Sequence, residues 1–301
     1  MSVLVTGGDG FTGKYLIPEL EAAGWQPISG VRSSTPNNGE ITFELTDVQA
    51  MRMQLAKYRP RAIIHLAAIS FAMHGDIKNI YDTNVLGTLN LLRAIEESAL
   101  ELDHLIVASS AAVYGDQNAS LLKESLIPQP RNDYGISKLA AEHIALSRNP
   151  AKNLAIFRPF NYTGVGQPHS FLIPKLVGHF VERKSVIELG NINVAREFND
   201  VRWAVKNYSA LLGFDYGSCT VNLCSGNAFT LAEVMQILNE VTGHQPEVKI
   251  NPEFVRENDP PLIAGDIELA RRLNLPDPEE DAGNALRQLL SWMCENYKSS
   301  E

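Results

Sequence analysis

Two periods run through this chain. Short apolar runs rich in β-branched residues recur at 3–5, 27–31, 41–45, 61–66, 104–108 and 154–157, and they predict buried parallel strands. Between them, helical spacing predicts helices over 13–23, 48–58 and 84–97, the last with Val85, Leu89, Leu92 and Ile95 on one face. Strand and helix alternate in the order of an α/β fold: a Rossmann-type doubly wound parallel sheet with ligands at the carboxyl ends of its strands. Pro18 lies inside the first helix, where its missing donor predicts a kink. Beyond Asn161 the rhythm changes. Gly164, Gly166, Pro168 and Pro174 mark loops, and only 220–223 still reads as a sheet strand. A helix from Thr230 opens with a capping box, Thr230 with Glu233, and stops at Gly243.

The first strand breaks into "TGGDGFTG", with glycines at Gly7, Gly10 and Gly13. Strand, glycine turn and helix is the order a nucleotide phosphate needs, because free N–H groups at a helix start point outward with the positive end of the dipole. An ordinary tight turn would use glycine too; the spacing and the place at the first strand favour a dinucleotide. This divides the chain into residues 1–160, a dinucleotide-binding domain with a returning segment at about 193–226, and residues 161–301, mainly a smaller, mixed substrate-binding lobe. The net charge of −9, from 26 basic and 35 acidic residues, argues against nucleic acid. No leader and no membrane-length apolar run is visible, so a soluble, cytoplasmic protein with no membrane partner is expected. Cys219, Cys224 and Cys294 lack metal-type pairing; reduced thiols and no metal site are expected.

In "DYGISKLAAEH", Tyr134 and Lys138 stand four apart, on one helix face. An ammonium beside a phenol lowers the phenol's pKa toward neutrality. Upstream, a strand runs into "ASSAAVYG", so the hydroxyls of Ser109 and Ser110 fall at its carboxyl end. Alone, the Tyr–Lys pair is an ordinary solvated helix face; with a hydroxyl beside a bound dinucleotide it is a proton-transfer unit for carbonyl–alcohol interconversion.

Together with "HLAA" at 65–68, "NVLGTLNLL" at 84–92 and "RPFNYTG" at 158–164, these stretches resemble the extended short-chain dehydrogenase/reductases over nearly the whole chain. The resemblance implies Tyr134 as acid/base, Lys138 as the residue that holds the nicotinamide ribose and depresses the tyrosine pKa, and Ser110 as partner of the reacting oxygen. It implies a cofactor site of Gly7, Gly10, Phe11, Thr12, Gly13, Leu66, Ala67, Ala68 and Asn84, with Glu44 and Leu45 flanking the adenine; Asp47 reads as a helix cap. After the second strand there is no acid for ribose hydroxyls. Arg32 stands there and suits a 2′-phosphate, so NADP (NADPH) is expected over NAD.

"LGNINVAREFNDV" and "VRENDPPLIAGDIELARRL" resemble the branch acting on nucleotide-diphosphate sugars, particularly GDP-linked 4-keto-6-deoxy sugars. That implies Asn161, Lys175, Arg196 and Arg256 on the substrate side, although Glu257 stands where the branch often has proline. A dehydratase of this family needs an acid beside the catalytic hydroxyl, where Ala111 and Ala112 stand. Reduction of a 4-keto group by NADPH remains, giving GDP-D-rhamnose or GDP-6-deoxy-D-talose, with a homodimer expected. A 4-epimerase with retained NAD and a non-catalytic NADP-binding regulator stay open.

Overall fold

The computed structural model describes residues 1–37, 39–70, 76–117, 119–254 and 260–298. The amino-terminal part alternates as expected: β1 (Ser2–Thr6), α1 (Phe11–Ala22), β2 (Gln26–Val31), β3 (Glu40–Thr42), α2 (Val48–Tyr58), β4 (Ala62–His65), α3 (Ile77–Tyr81), a π-helical turn (Asp82–Leu86), α4 (Gly87–Glu97), β5 (Leu102–Ala108), α5 (Asp133–Arg148) and β6 (Ala151–Pro159). Shorter elements follow: β7 (Tyr162–Thr163), α6 (Leu172–Val181), β8 (Val186–Leu189), β9 (Ala195–Arg196), β10 (Asn199–Asp200), α7 (Val201–Ala210), β11 (Ser218–Leu223), β12 (Phe229–Thr230), α8 (Leu231–Thr242), β13 (Glu247–Ile250), β14 (Leu262–Ile263), α9 (Glu268–Arg272) and α10 (Ala282–Glu295). Among the described residues no helix is long and apolar enough to cross a membrane.

Seven parallel strands form the central sheet in the order β11-β6-β5-β4-β1-β2-β3. The order reverses between β1 and β4, and the crevice beyond their carboxyl ends is where such sheets hold ligands. Successive side chains enter opposite apolar layers. Val3 and Val5 pack with Ile64, Ile106, Phe157 and Tyr208 on one face; Leu4 packs with Ile63, Leu105, Ile156 and Leu91 on the other. Both faces are covered, which is why these strands read as continuous apolar runs.

Three local expectations change. The strand predicted over 41–45 pairs only as far as Thr42, and Phe43 and Leu45 continue as core side chains. The helix predicted over 84–97 begins inside the π-helical turn and becomes α-helical at Gly87. Pro18 lies within a single helix from Phe11 to Ala22, so its missing donor does not divide α1. The capping features hold: Asp47 accepts from the amide of Ala50, the Thr230–Glu233 box is complete, and Gly243 ends α8 at φ 62°.

Most of the carboxyl-terminal part has its own apolar cluster, in which Phe180, Ile187, Leu231, Val234, Leu238, Leu290 and Met293 join α6, β8, α8 and α10. β11 instead returns to the central sheet beside β6. Glu197, between β9 and β10, fastens the two regions. It is fully buried, and its carboxylate accepts from the amides of Ser225 (2.7 Å), Gly226 (3.3 Å) and Gly265 (2.7 Å) and from the Asn199 side chain (2.9 Å). Burial raises its pKa, and these donors oppose that rise.

Candidate active site

The glycine turn after β1 is shaped by contact. Gly7 has φ +70°, and a Cβ there would come within 3.0 Å of the Ala67 backbone; one on Gly13 would sit 2.4 Å from the Gly8 carbonyl oxygen. Glycine therefore lets α1 seat directly on the turn. Gly10 caps α1 without any side-chain bond, so no side chain occupies the place where an anion meets the first amides of the helix. These residues fit a nucleotide phosphate.

Behind the turn, His65 closes a buried network: Nδ1 lies 2.7 Å from Thr6 Oγ1 and Nε2 lies 3.1 Å from Thr88 Oγ1. Burial, with a smaller contribution from the Lys138 charge, pushes the imidazole down to about 3, and it stays neutral. Thr6 Oγ1 also accepts from the Ala67 amide, which fixes the Leu66–Ala67 backbone beside Gly7. Asn84 is buried, and its amide accepts from Ile69 N (2.8 Å) and donates to Ile69 O (3.1 Å) and Ser137 Oγ (3.0 Å). It therefore holds the loop after β4 against α5. Arg32 is exposed one residue beyond β2. Glu44 accepts from the Thr46 amide, while Leu45 is core, against Gly87.

Asn132 caps α5 by accepting from Gly135 N. Gly135 lies so close under Ala112 that a Cβ would sit 2.7 Å from its carbonyl oxygen, and this brings the first turn of α5 onto the segment after β5. Three consecutive residues there meet one face of the helix. Ser110 hydrogen-bonds the Tyr134 phenol. The Lys138 ammonium donates to Ala108 O at 2.6 Å. Ser109 donates to Glu142, which holds Arg158 of β6 through two bonds of 2.9 and 2.7 Å.

The structure shows no depression of the tyrosine pKa. Burial pushes Tyr134 up to about 12, and the hydroxyl of Ser110 rather than an ammonium is the contact that opposes it. The reason is geometric: Lys138 turns its head to a backbone carbonyl. Burial brings Lys138 down to about 8, and the charge of Glu142 one turn further raises it in part.

Asn161 is exposed just after β6 and its carbonyl accepts from Asn199 N at 2.9 Å. Arg196 is half-buried on β9, with Nη1 on Ala195 O at 2.7 Å. Lys175 turns toward β8, reaching Glu188 O at 3.4 Å and lying 5.0 Å over the Phe254 ring. Arg256 and Glu257 lie outside the described residues. Ala111 and Ala112 form a single 3-10 turn after Ser110. Of the carboxylates elsewhere in this part of the chain, Asp76 caps α3 and Glu124 accepts from Asn222 N at 2.9 Å.

The NAD dependent epimerase/dehydratase family model matches residues 3–222. The chain belongs to this family. Among its relatives, a GDP-6-deoxy-D-talose 4-dehydrogenase of Aggregatibacter actinomycetemcomitans is 36% identical over 266 residues, 88% of each chain. A GDP-6-deoxy-D-mannose reductase of Pseudomonas aeruginosa is 30% identical over 302 residues, 96% of each. Among solved structures, RMD from Pseudomonas aeruginosa complexed with NADPH matches with a TM-score of 0.83 at 28% identity, covering 98% of this chain and 99% of that one. Both relatives are named for oxidoreductases of GDP-linked 6-deoxy sugars, and the solved structure holds NADPH.

Sequence reasoning passed over Glu142, Arg158 and Tyr162. Glu142 follows Lys138 by four, as Lys138 follows Tyr134, so a stripe at 134, 138 and 142 was available as a signal. Arg158, a charge ending the apolar run "LAIF", was the matching signal on β6.

Proposed function

We propose that this member of the family uses NADPH to reduce the 4-keto group of a GDP-linked 4-keto-6-deoxyhexose, GDP-4-keto-6-deoxy-D-mannose above all. The observation that carries this reading is the pairing of the Ser110 hydroxyl with a neutral Tyr134 phenol where alanines, not a carboxylate, follow Ser110. The nicotinamide supplies the hydride. Ser110 and Tyr134 hold the ketone oxygen, and Tyr134 gives it the proton that completes the alcohol. With its pKa pushed up to about 12 the Tyr134 phenol carries its proton at neutrality, as an ordinary phenol does, so the proton to be given is in place. Lys138, one turn along α5 from Tyr134, is held at the end of β5 by Ala108 O.

Arg32, free of an acidic neighbour at the end of β2, favours the 2′-phosphate of NADPH. Asn161 and Arg196 stand on the substrate side, and the names of the relatives support a GDP-sugar; a 6-deoxytalose product accords with the first of them. NADPH absorbance followed with the keto sugar, and NMR of the product, test the reading. Stoichiometric NADPH loss with a C4 alcohol formed is expected. Tightly retained NAD with C4 inversion and no net NADPH loss would replace it with an epimerase. Binding of NADPH without turnover would replace it with a regulator.

A further inference from the structure

The first turn of α1 is joined across the crevice by aromatic side chains that the reaction above does not use. Thr12, the second residue of α1, has its Oγ1 2.7 Å from the phenol oxygen of Tyr162. The Tyr162 ring stacks on Phe11, with centroids 6.3 Å apart and planes 21° apart. Tyr162 opens β7 soon after β6 ends, so it stands at the carboxyl edge of the sheet. Its phenol is also close enough to Tyr134 to contribute to the raised pKa there. On its buried side lies Tyr208 of α7, fully buried, whose hydroxyl faces Tyr162 without closing a hydrogen bond of good geometry.

We propose that Tyr162 is a positioning residue for the nicotinamide end of the cofactor, its phenol fixed by Thr12 and its ring by Phe11 on the wall between the glycine turn and Tyr134. The inference rests on the cofactor site of the preceding reading. A dinucleotide with its phosphates at the start of α1 and its reacting ring beside Tyr134 crosses the interval in which Tyr162 stands. Two hydroxyls bonded to each other use one donor between them, so the Thr12–Tyr162 pair keeps a second donor and further lone pairs for a ligand. The stack on Phe11 restricts the ring, so little freedom is lost when a ligand meets it.

Tyr162→Phe keeps the ring and removes the hydroxyl. Binding is measured by protein fluorescence without sugar, for NADPH against 2′-phospho-ADP-ribose and for NADH against ADP-ribose; the second member of each pair lacks the nicotinamide. Within the pair the wild type binds better, the variant is expected to weaken the full cofactor about three- to tenfold, the loss of one hydrogen bond, and to leave the truncated ligand within about twofold. Thr12→Val changes a residue at the start of α1, where the phosphates are placed, and is expected to weaken both members of the pair, which sets the pattern of a phosphate-side loss against that of Tyr162→Phe. Equal weakening of both ligands by Tyr162→Phe would make the bond a mere brace between β7 and α1 and overturn the proposal; so would no weakening of either. Which pair the wild type prefers tests the NADPH reading separately.

Discussion

A general acid serves reduction only while it carries its proton, and the Tyr134 phenol, pushed up to about 12 by burial, carries it at neutrality as any phenol does. Tyr134→Phe keeps the packing of the ring and removes the proton, so kcat with the keto sugar should fall about 10²-fold or more. A rate within a few fold of wild type would show that another group supplies the proton. Arg32→Asp should weaken NADPH far more than NADH, measured by separate titrations; equal losses would leave Arg32 a surface residue without a 2′-phosphate partner. His65 sets a stability window of its own. Its folded pKa of about 3 lies below the ordinary imidazole value of 6.5, so between these values the unfolded chain binds the proton that the folded chain refuses. Stability contributed by the neutral ring is therefore complete above 6.5 and is lost as pH falls toward 3, by up to about 1.4 kcal/mol per pH unit. Urea midpoints between pH 7 and 5.5, above the range of ordinary carboxylates, should show this slope in the wild type and a shallower one in His65→Gln. An unchanged slope in the variant would assign it to other groups.

Elements such as α2 and the first strands were legible in the sequence because one force decides them: an apolar strand between two covered faces, or a helix with Asp47 at its start, has no competing solution. The π-helical turn at Asp82–Leu86 was not legible, since it differs from an α-turn by one inserted residue and leaves the apolar period almost intact. The catalytic face of α5 was half legible. Spacing placed Tyr134 and Lys138 together, but no periodicity within one helix reveals that Glu142 meets Arg158 of another element, or that Lys138 turns to Ala108. The Glu142–Arg158 pair is buried, with side chains only 2% and 6% exposed, and Arg158 also lies 4.9 Å over the Tyr114 ring. Removing one partner leaves an uncompensated buried charge, so Glu142→Gln should cost about 3–5 kcal/mol in urea unfolding. A loss below about 1 kcal/mol would mean that water reaches the pair. Ser109→Ala removes only the third contact and should cost about 1 kcal/mol while leaving the ion pair intact.

At the scale of the whole molecule, alternating strands and helices implied a parallel sheet with its switch point, and β1, β4 and β5 deliver it; which later segment returns to the sheet depends on long-range pairing, here β11 on β6, that leaves only a faint local trace. The same long-range assembly decides which carboxylates reach the crevice, and therefore the reaction class. Elimination of water from a hexose would need a group to take the C5 proton and protonate the C6 oxygen beside Ser110. Ala111 and Ala112 cannot do either, while Asp76 caps the start of α3 and Glu124 holds the Asn222 amide of β11. The wild type should therefore form no keto sugar from GDP-mannose, even with NADP supplied, yet consume NADPH when a separate dehydratase provides that sugar. Ala112→Glu should not create an efficient dehydratase. Its carboxylate would be unsupported, whereas productive placement must hold within roughly 0.5 Å through packed neighbours. Keto sugar accumulating from GDP-mannose with the unmodified protein would defeat this argument, and it would mean that a carboxylate from elsewhere, Asp76 or Glu124, reaches the sugar.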